Sequence, residues 1–299
     1  MRNLLILTRF NIIQDAPGRI KTRVGAHALI RLILFDMLKR FAKFIFIFLG
    51  SLYLIGCGVL YVVQEDILFR PQPIPENTSF RFGEEVSIPV AENINLHGLY
   101  SRESRPKGVI LYLHGNRGNA RWCQRQAEMF TGFGYNVFLL DYRGYGKSDG
   151  EISSSSQLYS DVQKVYDYLK KEFSESEIIL AGYSLGTGMA SYLAANNQPN
   201  RLFLIAPFVS IVDMKDRIFP FVPDFLIKYP LNNQSHLSRL NCPVTVFHGT
   251  DDEVIPYDAS EDLKRMYPQK IELIKLPSTG HRGAIFHSAI RSTLGRYLG

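Results

Sequence analysis

Cysteine is scarce in this chain: Cys57, Cys123 and Cys242 are three in 299 residues, too few for a disulfide framework. No Cys/His run has metal-ligand spacing, so no metal is expected. No internal repeat is visible, and no Gly-Lys-Ser/Thr directly continues the Gly-rich stretch 114–119, which is therefore not a phosphate-binding loop. Positive charge is missing from the place where a nucleic-acid binder would need it. The formal net charge is +6, yet residues 1–43 hold nine Lys/Arg against Asp15 and Asp36, which leaves residues 44–299 at −1. A nucleic-acid partner is not expected, because the main part of the chain has no basic excess to form a face.

Charge of either sign is absent from Phe44 to Val63. Twenty helical residues span about 30 Å, the thickness of the hydrocarbon layer. Lys39, Arg40 and Lys43 precede the run, and Glu65 and Asp66 follow it. The positive-inside rule predicts a single-pass protein of the inner membrane, N-terminus in the cytoplasm and the bulk of the chain outside. Met37-Leu38-Lys39-Arg40 has the form of a signal-anchor start, so residues 1–36 read as an upstream extension or a cytoplasmic tail. Leu54-Ile55-Gly56-Cys57 resembles a lipobox, but the sequence stays apolar through 59–63, which favours an uncleaved anchor. The chain thus reads as a basic tail (1–43), an anchor (44–63), a Pro-rich linker (64–84) and a domain (85–299). Arg70-Pro71-Gln72-Pro73-Ile74-Pro75 is expected to be a stiff spacer that sets the domain off from the bilayer.

Within 85–299, short apolar runs alternate with helical patterns. A hairpin at 85–100 is followed by strands near 109–113, 136–141, 178–181, 202–205, 244–247 and 271–276. Helices are expected at 120–130, 157–173, 188–195, 259–266 and 283–298. Continuously apolar strands are those covered by helices on both faces, and repeated βα units predict a mostly parallel, doubly wound α/β sheet. Residues 208–236 break the rhythm with Phe219, Pro220, Phe221, Pro223, Phe225, Tyr229 and Pro230, and read as a small lid. Asp258 and Glu261 are spaced to open a capping box.

The densest chemical signal is Gly182-Tyr183-Ser184-Leu185-Gly186, which follows Ile178–Ala181 and precedes a helical segment. A Gly-x-Ser-x-Gly between strand and helix turns so sharply that only glycine fits beside the serine, which is pushed into the open. A serine hydroxyl is a weak nucleophile without a base, and the base needs a carboxylate to orient it. In such sheets these groups belong at the carboxyl ends of strands. After 244–247 comes His248-Gly249-Thr250-Asp251-Asp252-Glu253, and after 271–276 comes Gly280-His281. His281 is the expected base, ahead of His236 in the lid and His287 further on. Asp251, Asp252 and Glu253 share one loop, and their spacing does not separate them. An oxyanion hole would take the backbone N–H of Leu185 and that of Asn116, in the loop His114-Gly115-Asn116-Arg117-Gly118-Asn119. Arg143, in a Gly-rich loop after a strand, reads as a brace.

The His114-Gly115-Asn116 loop, the stretch Asp141–Ser148, the Gly182–Gly186 turn, His248–Val254 and Gly280-His281 together resemble the α/β-hydrolase superfamily. More narrowly they are similar to its Bem46-like, serine-aminopeptidase-domain branch, over about residues 85–299. The resemblance implies a cofactor-free hydrolase of ester, thioester or amide bonds, and its His-Gly-x-x-Asp motif selects Asp252 as the acid. The expected function is a membrane-anchored serine hydrolase acting on ester or thioester bonds of a small-molecule or lipid acyl substrate, or of an acylated protein. Phe219, Phe221 and Phe225 are candidates for binding the acyl chain. A serine aminopeptidase-like amidase is one alternative, and a catalytically silent membrane-bound module is another.

Overall fold

The computed structural model describes residues 26–299, with side chains from residue 29. The tail assigned to 1–43, and the choice between Met1 and Met37 as start, therefore lie largely outside the described residues. Two units divide the chain, one ending at Val59 and the other running from Leu60 to Gly299.

The first unit is helical. Helix α1 (Ala26–Leu68) has no proline between 26 and 68 to break it. Its segment Leu29–Leu68 is long and apolar enough to cross a membrane, and only 6% of its most apolar window is buried. Phe44, Phe46, Phe48, Leu52 and Leu54 are all exposed, which in water would be costly and in lipid is not.

In the second unit ten strands follow in chain order: β1 (Arg70–Pro71), β2 (Glu84–Ala91), β3 (Ile94–Ser101), β4 (Val109–Leu113), β5 (Arg117–Gly118), β6 (Asn136–Leu140), β7 (Ile178–Tyr183), β8 (Arg201–Ile205), β9 (Val244–Gly249) and β10 (Ile271–Leu276). Eight of them form one sheet in the order β10-β9-β8-β7-β4-β6-β3-β2. β3 runs antiparallel to β2 and to β6, and every other pair in it is parallel. The helices are α2 (Ala120–Ala127), α3 (Ser155–Leu169), α4 (Gly186–Asn196), α5 (Ile211–Ile218), α6 (Asn233–Arg239), α7 (Asp258–Met266), α8 (His281–Ala284) and α9 (Ser288–Leu298). Alternation along β4 splits the core between the two faces. Val109, Leu111 and Leu113 pack with α3, α4, α6 and α7, while Ile110 and Tyr112 pack with α2, α8 and α9. The doubly wound sheet expected from the sequence is present.

The strand order reverses at β4, which lies between β6 and β7. Such a reversal opens a crevice at the carboxyl ends of the strands, where ligands bind in open α/β sheets. The Gly115–Asn116 loop and Ser184 both leave the sheet there.

Three local expectations are corrected. The segment 64–84 is not a free spacer. Its first residues complete α1, and β1 pairs in parallel with β5. Gln72 accepts hydrogen bonds from the Gly146 amide at 3.3 Å and from the Asn119 side chain at 2.9 Å. Proline forbids helix but leaves carbonyls free to accept, so the segment is laid along the domain as an edge. Asp258 does not open a capping box. Tyr257 is the N-cap, and Asp258 pairs with Arg217 of α5 at 2.8 Å. The final helix is broken, with His287 capping α9 by accepting from the Ala289 amide.

Candidate active site

Ser184 lies just past the end of β7 with φ +53°, the left-handed region that costs a side-chain-bearing residue about 1–2 kcal/mol. The elbow is tight on both sides. A Cβ at Gly186 would stand 2.0 Å from the Leu113 carbonyl oxygen, and one at Gly182 would stand 2.6 Å from the Gly186 oxygen. Only glycine lets the start of α4 approach the end of β4 this closely. The turn is held by the Ser184 amide, which donates to the Ile205 carbonyl, and by the Thr187 hydroxyl, which donates to the Ser184 carbonyl at 2.6 Å.

His281, 97 positions along the chain, comes to the serine from the loop after β10. Its Nε2 is 2.9 Å from Ser184 Oγ, and its Nδ1 is 2.7 Å from Asp252 Oδ2. All three side chains are buried. The geometry thus separates the carboxylates that the sequence left together. Asp251 is exposed and only accepts from the Thr250 hydroxyl. Asp252 Oδ1 accepts from the amides of Val254 and Ile255 at 2.9 and 2.8 Å, leaving Oδ2 to the histidine. Burial pushes the Asp252 carboxyl pKa up, but hydrogen bonds from His248 and His281 outweigh it and hold the acid well below the usual carboxylate range. Asp252 is therefore ionised at neutral pH, as an orienter of imidazole must be.

The loop after β4 lies against the serine: a Cβ at Gly115 would touch Ser184 Cβ at 3.4 Å. The amides of Leu185 and Asn116 make no backbone hydrogen bond among the described residues. Both remain available to an oxyanion, and Leu185 precedes the first turn of α4, whose dipole favours negative charge. Asn116 is tied down by its carbonyl, which accepts from the Arg70 amide at 3.0 Å and from the Tyr145 hydroxyl at 2.9 Å. The Tyr145 hydroxyl in turn accepts from the Arg70 amide at 3.0 Å.

Several supporting residues escaped the sequence reading. The Tyr183 hydroxyl donates to the His281 carbonyl at 3.0 Å, and Glu253 accepts from the His281 amide at 3.0 Å. The base is thus gripped at both ends of its backbone. His248 is fully buried with Nε2 2.8 Å from the Ile255 carbonyl and 3.3 Å from Asp252 Oδ2. It must carry its proton on Nε2 to serve either oxygen, and so it also steadies the carboxylate. Arg143 forks onto Asp161 of α3 at 2.6 and 2.9 Å, a brace as expected. Phe219, Phe221 and Phe225 are not folded inward, being 43%, 81% and 83% exposed.

A buried serine–imidazole–carboxylate chain on a left-handed elbow can activate a hydroxyl for attack on a carbonyl. Comparison with known proteins shows what the chain is similar to. The serine aminopeptidase (S33) family model matches residues 104–231, a span that includes Ser184. An uncharacterized protein of Mycobacterium tuberculosis is 28% identical over 262 residues, covering 81% of this chain and 92% of that one. The lysophosphatidylserine lipase of Xenopus tropicalis is 31% identical over 176 residues, 52% of this chain and 45% of the lipase. A Pyrococcus furiosus esterase of known structure superposes with a TM-score of 0.60 at 19% identity, covering 78% of this chain and 98% of the esterase. The chain has the α/β-hydrolase fold. The chain spans about half the length of the animal relatives that it matches, 57% of a Caenorhabditis elegans protein and 45% of the Xenopus lipase.

Proposed function

We propose that this protein is a serine esterase of acyl lipids, held at the membrane by α1. The observation that carries the reading is the continuous chain Ser184 Oγ–His281 Nε2 and His281 Nδ1–Asp252 Oδ2 at 2.9 and 2.7 Å. In this reading Ser184 Oγ attacks the acyl carbonyl while His281 Nε2 takes its proton. Asp252 holds the imidazole in the tautomer that can accept and stabilises the imidazolium. The carbonyl oxygen, now negative, is met by the amides of Leu185 and Asn116; each such donor is worth about 3–4 kcal/mol in the transition state. His281 returns the proton to the leaving alcohol, and water, deprotonated by the same histidine, releases the acid. Thioesters fit the same steps.

The lipase activity carried by the name of the Xenopus relative and the long apolar helix both favour a lipid substrate. The charge asymmetry around 44–63 supports an inner-membrane protein with its catalytic domain outside the cytoplasm. An aminopeptidase would need a carboxylate to hold the substrate α-amino group. The lid acids Asp213, Asp216 and Asp224 are all paired, the first with Arg217 and the others with Lys215. Measuring kcat/KM on a monoacyl phospholipid, a matched acyl thioester and an aminoacyl amide tests the reading. The expected order places the two acyl substrates far above the amide, and a preference for the amide would overturn it.

A further inference from the structure

The apolar side chains of the lid divide into a buried set and an exposed set. Tyr229 and Leu231 are fully buried and Val222 nearly so, whereas Ile218 is 63% exposed, Phe219 43%, Phe221 81% and Phe225 83%. A cluster of exposed large apolar side chains on one small segment marks a surface that meets something apolar. The segment is also held in shape. The Lys215 ammonium, buried under it, donates to the Val222 carbonyl at 2.9 Å and to Asp224 at 2.7 Å, and pairs with Asp216. The aromatics are thus carried on a stapled loop and do not hang from a free one.

What they meet follows from where the lid is fastened. Gln64 is the first residue beyond the apolar run 44–63. Its side-chain amide donates to the Leu226 carbonyl at 2.8 Å and accepts from the Lys228 amide at 2.9 Å. Glu65 accepts from the Lys228 ammonium at 3.2 Å and from the Tyr229 hydroxyl at 3.0 Å. The Lys228 ammonium also lies 4.5 Å over the ring of Tyr61. Five hydrogen-bonding and cation–π contacts therefore pin 226–229 to residues 61–65, where the chain leaves the hydrocarbon. Phe225 is adjacent in sequence to the clasped Leu226. Tyrosine and lysine at such a level are the residues of a membrane interface, with apolar bodies and polar tips.

We propose that the lid edge formed by Ile218, Phe219, Phe221 and Phe225 rests in the lipid leaflet that the chain's own apolar helix enters. This rests on the membrane reading of residues 44–63 and narrows the substrate to acyl lipids already resident in that leaflet. The Gln64–Glu65 clasp fixes the depth of the lid, as an interfacial helix is fixed by apolar side chains sunk below the headgroups. A soluble partner protein or a second copy of the chain are the other possible occupants.

The test uses the full chain, one copy per lipid nanodisc, in a Trp122→Phe background that removes the native tryptophan. Phe225→Trp and Phe221→Trp are made separately, and Phe48→Trp reports on the helix. The discs contain phosphatidylcholine with or without bromine on the acyl chains. The proposal predicts that tryptophan at 225 and at 221 loses most of its emission to brominated lipid and is sheltered from acrylamide. Quenching by acrylamide with no response to bromine would overturn it, and so would shelter from both quenchers, the mark of a covering protein. Loss of bromine quenching at 48 as well would overturn the membrane reading itself. Neither result depends on hydrolysis, so the esterase reading stands or falls apart from them.

Discussion

Replacing Asp252 by Asn tests the site at the point where sequence and geometry give different amounts of information. The asparagine oxygen can keep the two amides of Val254 and Ile255, so the loop should fold as before. Its NH2 then stands where Oδ2 was, 2.7 Å from His281 Nδ1 and 3.3 Å from His248 Nε2. An NH2 there donates to Nδ1, which forces the His281 proton onto Nε2, the atom that must accept from Ser184. In a protease with the same arrangement this exchange costs about 10⁴ in kcat, about 5.4 kcal/mol of barrier. Asp251→Asn alters an exposed side chain that only accepts from Thr250. It should stay within about 0.5 kcal/mol of the parent. Steady-state hydrolysis of a p-nitrophenyl ester by both variants, with circular dichroism to confirm folding, gives the comparison. Equal losses, or a larger loss for Asp251→Asn, would show that the carboxylate role has been given to the wrong residue.

Other outcomes follow from the same contacts. Tyr145→Phe removes the hydroxyl that joins Arg70 to the Asn116 carbonyl. A hydrogen bond of this kind is worth about 1 kcal/mol, so kcat should fall by about fivefold. KM should barely change, and a change confined to KM would contradict the positioning role. Gly186→Ala drives a Cβ to 2.0 Å from the Leu113 oxygen and should abolish activity or folding; an active, stable variant would contradict the elbow. His236 packs against Ser191 at 3.0 Å, and burial, helped by the Arg239 charge, lowers its pKa from 6.5 to about 4. The unfolded chain therefore binds this proton first, so the stability that His236 contributes is present above about pH 6.5 and is lost as the pH falls toward 4. Thermal melts of the full chain should drop over that window, and His236→Gln should flatten part of the drop. A parallel curve for the variant would count against it.

Much of the fold was legible because local sequence controls it. Apolar runs such as Val109–Leu113 and Ile178–Ala181 can be little else than buried strands, and the elbow declares itself by two glycines at fixed offsets from a serine. Ser184 and His281 are candidates from their order along the chain alone, and the fold brings them within 2.9 Å. Asp252 was selected by a family motif and not by spacing, since only the folded loop shows which neighbour turns inward. Tyr145, Tyr183, Glu253 and His248 were illegible in their roles, because each acts on a partner brought close by the sheet. The proline segment misled for a physical reason: the same absence of N–H groups that prevents helix also suits a strand laid on an edge. Composition makes the lid aromatics candidates for binding an acyl chain, but it does not say whether a ring faces in or out.

The central claim is that Ser184, activated by His281, is the nucleophile. Incubation of the full chain in detergent with a fluorophosphonate, followed by peptide mass analysis, tests it directly. The account predicts stoichiometric phosphonylation of the peptide containing Ser184, none in Ser184→Ala, and a strongly slowed reaction in His281→Ala. A folded wild-type chain that stays unlabelled, or one labelled on another residue, would contradict it.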